Sequence, residues 1–165
     1  MGCGPSSANV KSDTPTAVKY PTATKDFVAE DDNSSFKSQY DVIKQLGSGG
    51  YSIVKLVQNR KTGVKAAVKC INRKVLNTQE NERLREEVAI MMSCTHPNIV
   101  KLFDFYEEEH CFYLTMEVLE GGELFDRISQ KTIYTEKEAR DVIYLLLMTI
   151  NYCHKKGIVH RDLKP

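Results

Sequence analysis

Short β-branched and apolar runs dominate the chain from Tyr40 to Ile71 and return between Ile99 and Val118, with helical spacing between and after them. Tyr40 to Leu46 reads as a strand entering a glycine-rich turn. Ser52 to Val57 is a second strand, Asn59 to Gly63 carries turn residues, and Val64 to Ile71 resumes the strand pattern. Asn77 and Glu80 are spaced as a capping box that starts a helix running to about Cys94. At about 100° per residue, with Leu84 at zero, Val88 lies near 40°, Met91 near −20° and Glu87 near −60°, whereas Glu86 lies about 160° away. Glu87 is therefore expected at the border of the apolar face and Glu86 in water. His96-Pro97-Asn98 breaks the helix, and Ile99 to Tyr106 and Cys111 to Val118 read as strands around the polar turn Glu107 to His110. Thr135 and Glu138 repeat the capping-box spacing, and Ala139, Val142, Ile143, Leu146, Ile150 and Cys153 predict a long helix with a core-facing stripe.

Composition narrows the class without naming a chemistry. The 165 residues, 41% hydrophobic and of net charge +1, suit one soluble globular unit and call for no nucleic-acid partner. The five cysteines show no C-x-x-C pairing and are odd in number, which argues against a disulfide framework or a zinc site and for a reducing, cytoplasmic setting. No apolar run approaches the roughly 20 residues of a membrane span. The start, MGCGPS, fits the N-myristoylation pattern, with Gly2 as acceptor and Cys3 beside it as a palmitoylation site. One myristoyl chain binds membranes only marginally, with a constant on the order of 10⁴ M⁻¹, so Cys3 would supply the second anchor that stable attachment needs. Residues 1–39, rich in Ser, Thr, Pro, Asp and Lys without a period, read as a flexible tether.

The stretch from Leu46 to Lys69 carries the chemistry. Its glycines Gly47, Gly49 and Gly50 allow conformations and close approaches that a β-carbon would obstruct, so main-chain amides there can cover a phosphate chain. The loop joins two strands, unlike the strand-to-helix loops of dinucleotide folds and Walker motifs. Side chains two apart share a strand face, so Ala67 and Lys69 point one way and Val68 and Cys70 the other. A small residue leaves room for a flat base, and an ammonium neutralises phosphate oxygens.

Here the sequence resembles the protein kinase family: Gly47, Gly49 and Val54 match G-x-G-x-x-G-x-V, with Ser52 in place of the third glycine, and Ala67 to Lys69 match the end of V-A-I-K. The resemblance places Leu46, Gly47, Ser48, Gly49, Gly50, Val54 and Ala67 around ATP, Lys69 on its phosphates and Glu87 in an ion pair with Lys69. It makes Met116 the gatekeeper beside the adenine and Glu117 and Leu119 the hinge residues. Glu123 would meet a ribose hydroxyl or a basic substrate residue. The phrase GGELFDRI resembles the calcium/calmodulin-dependent and calcium-dependent kinase group. The final run Ile158 to Pro165, IVHRDLKP, looks like the catalytic loop: Asp162 accepts the proton of the substrate hydroxyl, His160 is structural, Arg161 can pair with a phosphorylated activation loop, and Lys164 meets the γ-phosphate, as in serine/threonine kinases.

The implied fold is α+β: a kinase-like small lobe over residues 40–118, an antiparallel sheet plus one helix, then the hinge and first helices of the large lobe over 119–165. The sequence ends before the positions of the metal-binding Asn, D-F-G and A-P-E, where the family's Mg2+ ligands lie. The expectation is thus a membrane-tethered kinase acting on protein Ser/Thr, incomplete and inactive alone, with the long helix's apolar stripe uncovered. The alternative is a truncated, non-catalytic, lipid-anchored module that binds nucleotide or a partner. Calcium or calmodulin regulation follows from the group resemblance alone, since neither an EF-hand loop nor a regulatory helix is visible.

Overall fold

A computed structural model of the chain describes residues 35–131 and 133–164. The lipidation residues Gly2 and Cys3 lie outside them. Five strands, β1 (Tyr40–Ser48), β2 (Ser52–Asn59), β3 (Lys65–Asn72), β4 (Leu102–Glu107) and β5 (Cys111–Met116), form one antiparallel sheet in the order β1-β2-β3-β5-β4. Four helices accompany it, α1 (Phe36–Gln39), α2 (Thr78–Ser93), α3 (Leu124–Gln130) and α4 (Glu136–Lys155). This is the α+β arrangement expected for a kinase-like small lobe and the start of a large one.

Local chemistry sets the turns and helix starts. Between β2 and β3 the Asn59 side chain accepts from the amides of Lys61 and Thr62, both at 3.0 Å, and Gly63 takes φ +70°, a conformation that favours glycine. Both capping boxes form as the spacing predicts. Asn77 Oδ1 accepts from the Glu80 amide at 2.9 Å while Glu80 Oε2 accepts from the Asn77 amide at 2.8 Å. Thr135 and Glu138 repeat the exchange at 3.2 Å in each direction. Lys131, with Thr135, holds the Glu138 carboxyl down to a pKa of about 2.

Strand parity divides the core. On one face Ile71, Phe112, Leu114 and Leu102 pack with Val88 of α2, flanked by Leu84 and Met91, so the helix turns inward the face that its spacing predicts. On the other, Val57, Ala66 and Val68 are covered by Phe36 and Tyr40, with Tyr106 and Tyr113 packed alongside. Fully burying each large side chain here stabilises by about 1.5–3 kcal/mol. The fully buried Thr115 is satisfied at a bulge in β4, where its hydroxyl donates to the Asp104 carbonyl (3.1 Å) and accepts from the Asp104 amide (3.0 Å).

Three expectations need correction. The folded part begins before Tyr40: α1 is a helical turn capped by Ser35, and Phe36 is buried against the sheet, its ring stacked on Tyr113 with centroids 4.3 Å apart. An isolated aromatic such as Phe36 in a polar, aperiodic stretch gives no signal by period. β4 starts at Leu102 rather than Ile99, because the Ile99 amide turns back to the His96 carbonyl and prolongs the break at Pro97. The stripe of α4 is not core-facing along its length: Ile143 is 51% exposed and Leu146 42%, and only its Val142, Ile150 and Cys153 are half-buried. Among the described residues no helix is long and apolar enough to cross a membrane.

Candidate active site

The sheet register gathers the glycine loop and the lysine. Gly47 lies opposite Val54, Val54 opposite Lys69, and Lys69 opposite Leu114, while the second rung along, on the same face, aligns Lys44, Leu56, Ala67 and Met116. Residues opposite one another in antiparallel strands, and residues two apart in one strand, share a face. Val54, Ala67, Lys69 and Met116 therefore stand together on the face that also packs α2. The tip of the loop is closed by the Gly49 amide, which donates to the Ser52 carbonyl at 2.7 Å.

The glycines are not required by the conformation of the loop. None of Gly47, Gly49 and Gly50 adopts a positive φ, and a β-carbon at Gly47 or Gly50 would meet nothing within 4 Å. At Gly49 it would make an ordinary contact with Ser52 Oγ at 3.6 Å. What small size leaves here is open space beside the backbone of Gly47, Ser48 and Gly50, where a ligand's phosphates can approach main-chain amides. Gly121 and Gly122 differ: φ values of +150° and +73° supply the turn into α3, with Glu123 as its exposed N-cap residue.

The hinge follows β5. The Glu117 amide donates to the Lys101 carbonyl at 3.0 Å and its Oε1 accepts from the Lys101 amide at 2.8 Å, so Glu117 has only its carbonyl to present to a base. Leu119 is 69% exposed. A cleft of about 510 Å³ opens at this end of the sheet, lined by Leu46, Glu117 and Leu119 together with Leu56, Lys65 and Phe103. Its volume lies in the range of small-molecule sites, about 300–1,000 Å³. Sequence reasoning missed Leu56, although it lies two residues beyond Val54 on the same strand face.

Lys69 and Glu87 do not meet. Both are exposed, and no salt bridge joins them; Glu86 and Glu87 alike face solvent. The expected ion pair is absent from this arrangement, and α2 is fastened instead to β4. Arg85, two residues before Glu87, binds Glu107 in a fork, Nε to Oε2 at 2.9 Å and an Nη to Oε1 at 2.6 Å. Arg73 adds a contact to the same carboxylate at 3.0 Å and donates to the Glu108 carbonyl at 2.7 Å, and both guanidinium groups lie over the Phe112 ring, at 4.7 and 5.8 Å. The Arg85 hydrogen bonds hold the Glu107 carboxyl below its ordinary pKa. Arg85 and Glu107 lie in different elements, and neither has a motif to flag the pairing.

The last described residues form an exposed turn. Arg161 is at φ +65°, the only non-glycine with positive φ among the described residues. The Asp162 amide donates to His160 Nδ1 at 3.3 Å, and Lys164 Nζ lies 3.4 Å from Asp162 Oδ2. Asp162 and Lys164 are thus brought together. No hydrogen bond or salt bridge among the described residues links them to Lys69.

The protein kinase domain family matches residues 40–165. Among curated relatives, the calcium/calmodulin-dependent protein kinase type II alpha chain of Drosophila melanogaster is 42% identical over 130 residues, 79% of this chain and 24% of the relative. The type 1 enzyme of Caenorhabditis elegans is 43% identical over 134 residues, 81% and 38% of the two lengths. The type 1B enzyme of Rattus norvegicus is 44% identical over 128 residues, 78% and 37%. The chain spans about a quarter to two-fifths of the length of these relatives.

Proposed function

The chain belongs to the protein kinase family, and we propose that it supplies the nucleotide-binding part of an ATP-dependent kinase that phosphorylates serine or threonine in proteins. The observation that carries this reading is the sheet register, which aligns Gly47, Val54 and Lys69 on one rung and Ala67 and Met116 two rungs along on the same face. Val54, Ala67 and Met116 offer an apolar floor for a flat base beside the Glu117 carbonyl. The amides of the open loop and the Lys69 ammonium face the position of the phosphates. ATP, when bound, supplies the γ-phosphoryl group. Asp162 orients the acceptor hydroxyl and takes its proton, and Lys164, 3.4 Å away, offsets the charge that gathers there.

Magnesium is implied by the family, yet no group of three or more His, Cys, Asp or Glu side chains is gathered to hold a metal ion among the described residues. Dependence on calcium and calmodulin belongs by name to the relatives, and for this protein it rests on that likeness alone. Lipidation at Gly2 and Cys3, with attachment to the cytoplasmic face of a membrane, is proposed from MGCGPS.

The test is transfer of label from γ-labelled ATP to serine, threonine and tyrosine peptides by the protein as its cell makes it. Serine or threonine peptides are labelled, and Asp162→Asn lowers the rate by a factor of about 10² or more. Labelling of tyrosine alone contradicts the reading. A second reading, a module that binds nucleotide without transferring phosphate, is favoured by the unpaired Lys69 and Glu87; binding without transfer would support it. For the anchor, an alkyne-tagged myristate is incorporated into the wild-type chain and lost on Gly2→Ala. Equal incorporation in both removes the proposal.

A further inference from the structure

Two of the cysteines lie at the place where α4 meets the end of α2. Cys94 is the C-cap residue of α2 and Cys153 lies in the last turn of α4. Contacts on either side bracket them. The Thr95 amide donates to Tyr152 Oη at 2.8 Å, and Lys156 Nζ donates to the Ser93 carbonyl at 2.5 Å. The His96 ring packs on Tyr152 with centroids 5.0 Å apart, and the Lys156 ammonium lies 5.3 Å from the centre of that ring. The residues before and after Cys94 are thus tied to the residue before Cys153 and to one three positions after it, which holds the two backbones side by side. Both cysteines are free and half-buried. Burial raises the pKa of Cys153, and the proximity of Cys94 adds to the rise, so the two sulfurs sense one another's charge.

We propose that Cys94 and Cys153 form a redox modification site, closing to a disulfide on exposure to a peroxide and reopening with a thiol reductant. One thiolate attacks the peroxide and becomes a sulfenic acid as the O–O bond breaks and water leaves. The second thiolate attacks that sulfur, and its oxygen leaves as a second water. Two thiols and one peroxide therefore give one disulfide and two waters: each sulfur is oxidised by one electron and the peroxide is reduced by two. In a reducing compartment such a bond is transient, and regulatory rather than structural. Closed, it pins the end of the helix that carries Glu87 to α4. The neighbours Cys70 and Cys111 make the internal comparison: they sit on adjacent strands under the aromatic cluster, where burial pushes the Cys70 thiol up to about 11 and raises that of Cys111. They should stay as thiols.

The experiment treats the full chain at low concentration with hydrogen peroxide, blocks remaining thiols with a maleimide and maps unreduced tryptic peptides. A link between the peptides spanning 86–101 and 141–155 is expected, with loss of two thiols in a monomer and full recovery on reduction. Cys153→Ser abolishes the link and Cys70→Ser leaves it intact. The wild-type map stands without the variants, should either fail to fold. A link between Cys70 and Cys111 alone, links only between chains, sulfenic or higher acids without a link, or no oxidation would each overturn the proposal.

Discussion

Glu107 takes the forked contact of Arg85 and a further contact from Arg73, and the Arg85 hydrogen bonds draw its carboxyl below the ordinary value. A carboxylate with a lowered folded pKa stabilises the fold fully above its unfolded pKa, about 4.3. That stabilisation is lost as the pH falls through the lower folded value. Glu107→Gln should therefore cost about 1 kcal/mol at neutral pH, at the upper end for a partly exposed pair because the cations also lie over Phe112. The difference should vanish in acid, where the wild-type group is itself protonated. Chemical denaturation of both proteins across the acid range checks this; a deficit independent of pH would show that the carboxylate charge is not involved. The pair is separated by 22 positions, and nothing local announces it. Lys69 is the opposite case, because strand parity alone sets it on the face of Ala67, and the register then brings Val54 to it.

At the scale of elements, what was legible was what is local. The two capping boxes act over three residues, and α2 and α4 start where those pairs predict. Asn59 and Gly63 mark the β2–β3 turn for the same reason. The element that period cannot show is α1. Its amide donates from Phe36 to Glu108 Oε1 at 3.1 Å across 72 positions, and its ring lies among Tyr40, Tyr106 and Tyr113. Burial raises the pKa of all three tyrosines, which remain neutral partners. Phe36→Ala removes a ring that is 3% exposed and should destabilise the sheet by about 3–5 kcal/mol. Thermal or urea unfolding measures it; a loss under about 1 kcal/mol would mean that α1 does not cover the sheet in solution.

Across the whole molecule the sheet side is closed and the α4 side is open. The described chain as far as Met116 has a core on both faces of its sheet, whereas α4 touches it near Ser93 and Thr95 and leaves Ile143, Leu146 and Leu147 in solvent. The residues proposed to contact the nucleotide, Val54, Ala67, Lys69 and Met116, lie on the well-packed sheet, so nucleotide binding tests the proposal there. The direct measurement is titration of the full chain with ATP, followed by calorimetry, for wild type and Lys69→Met. Lys69 is exposed and makes no salt bridge, so its replacement leaves the core untouched. The account predicts saturable binding that weakens about tenfold or more in the variant, the loss expected of one charge-assisted phosphate contact. Binding of equal strength in both proteins, or no binding by the wild type, would contradict it.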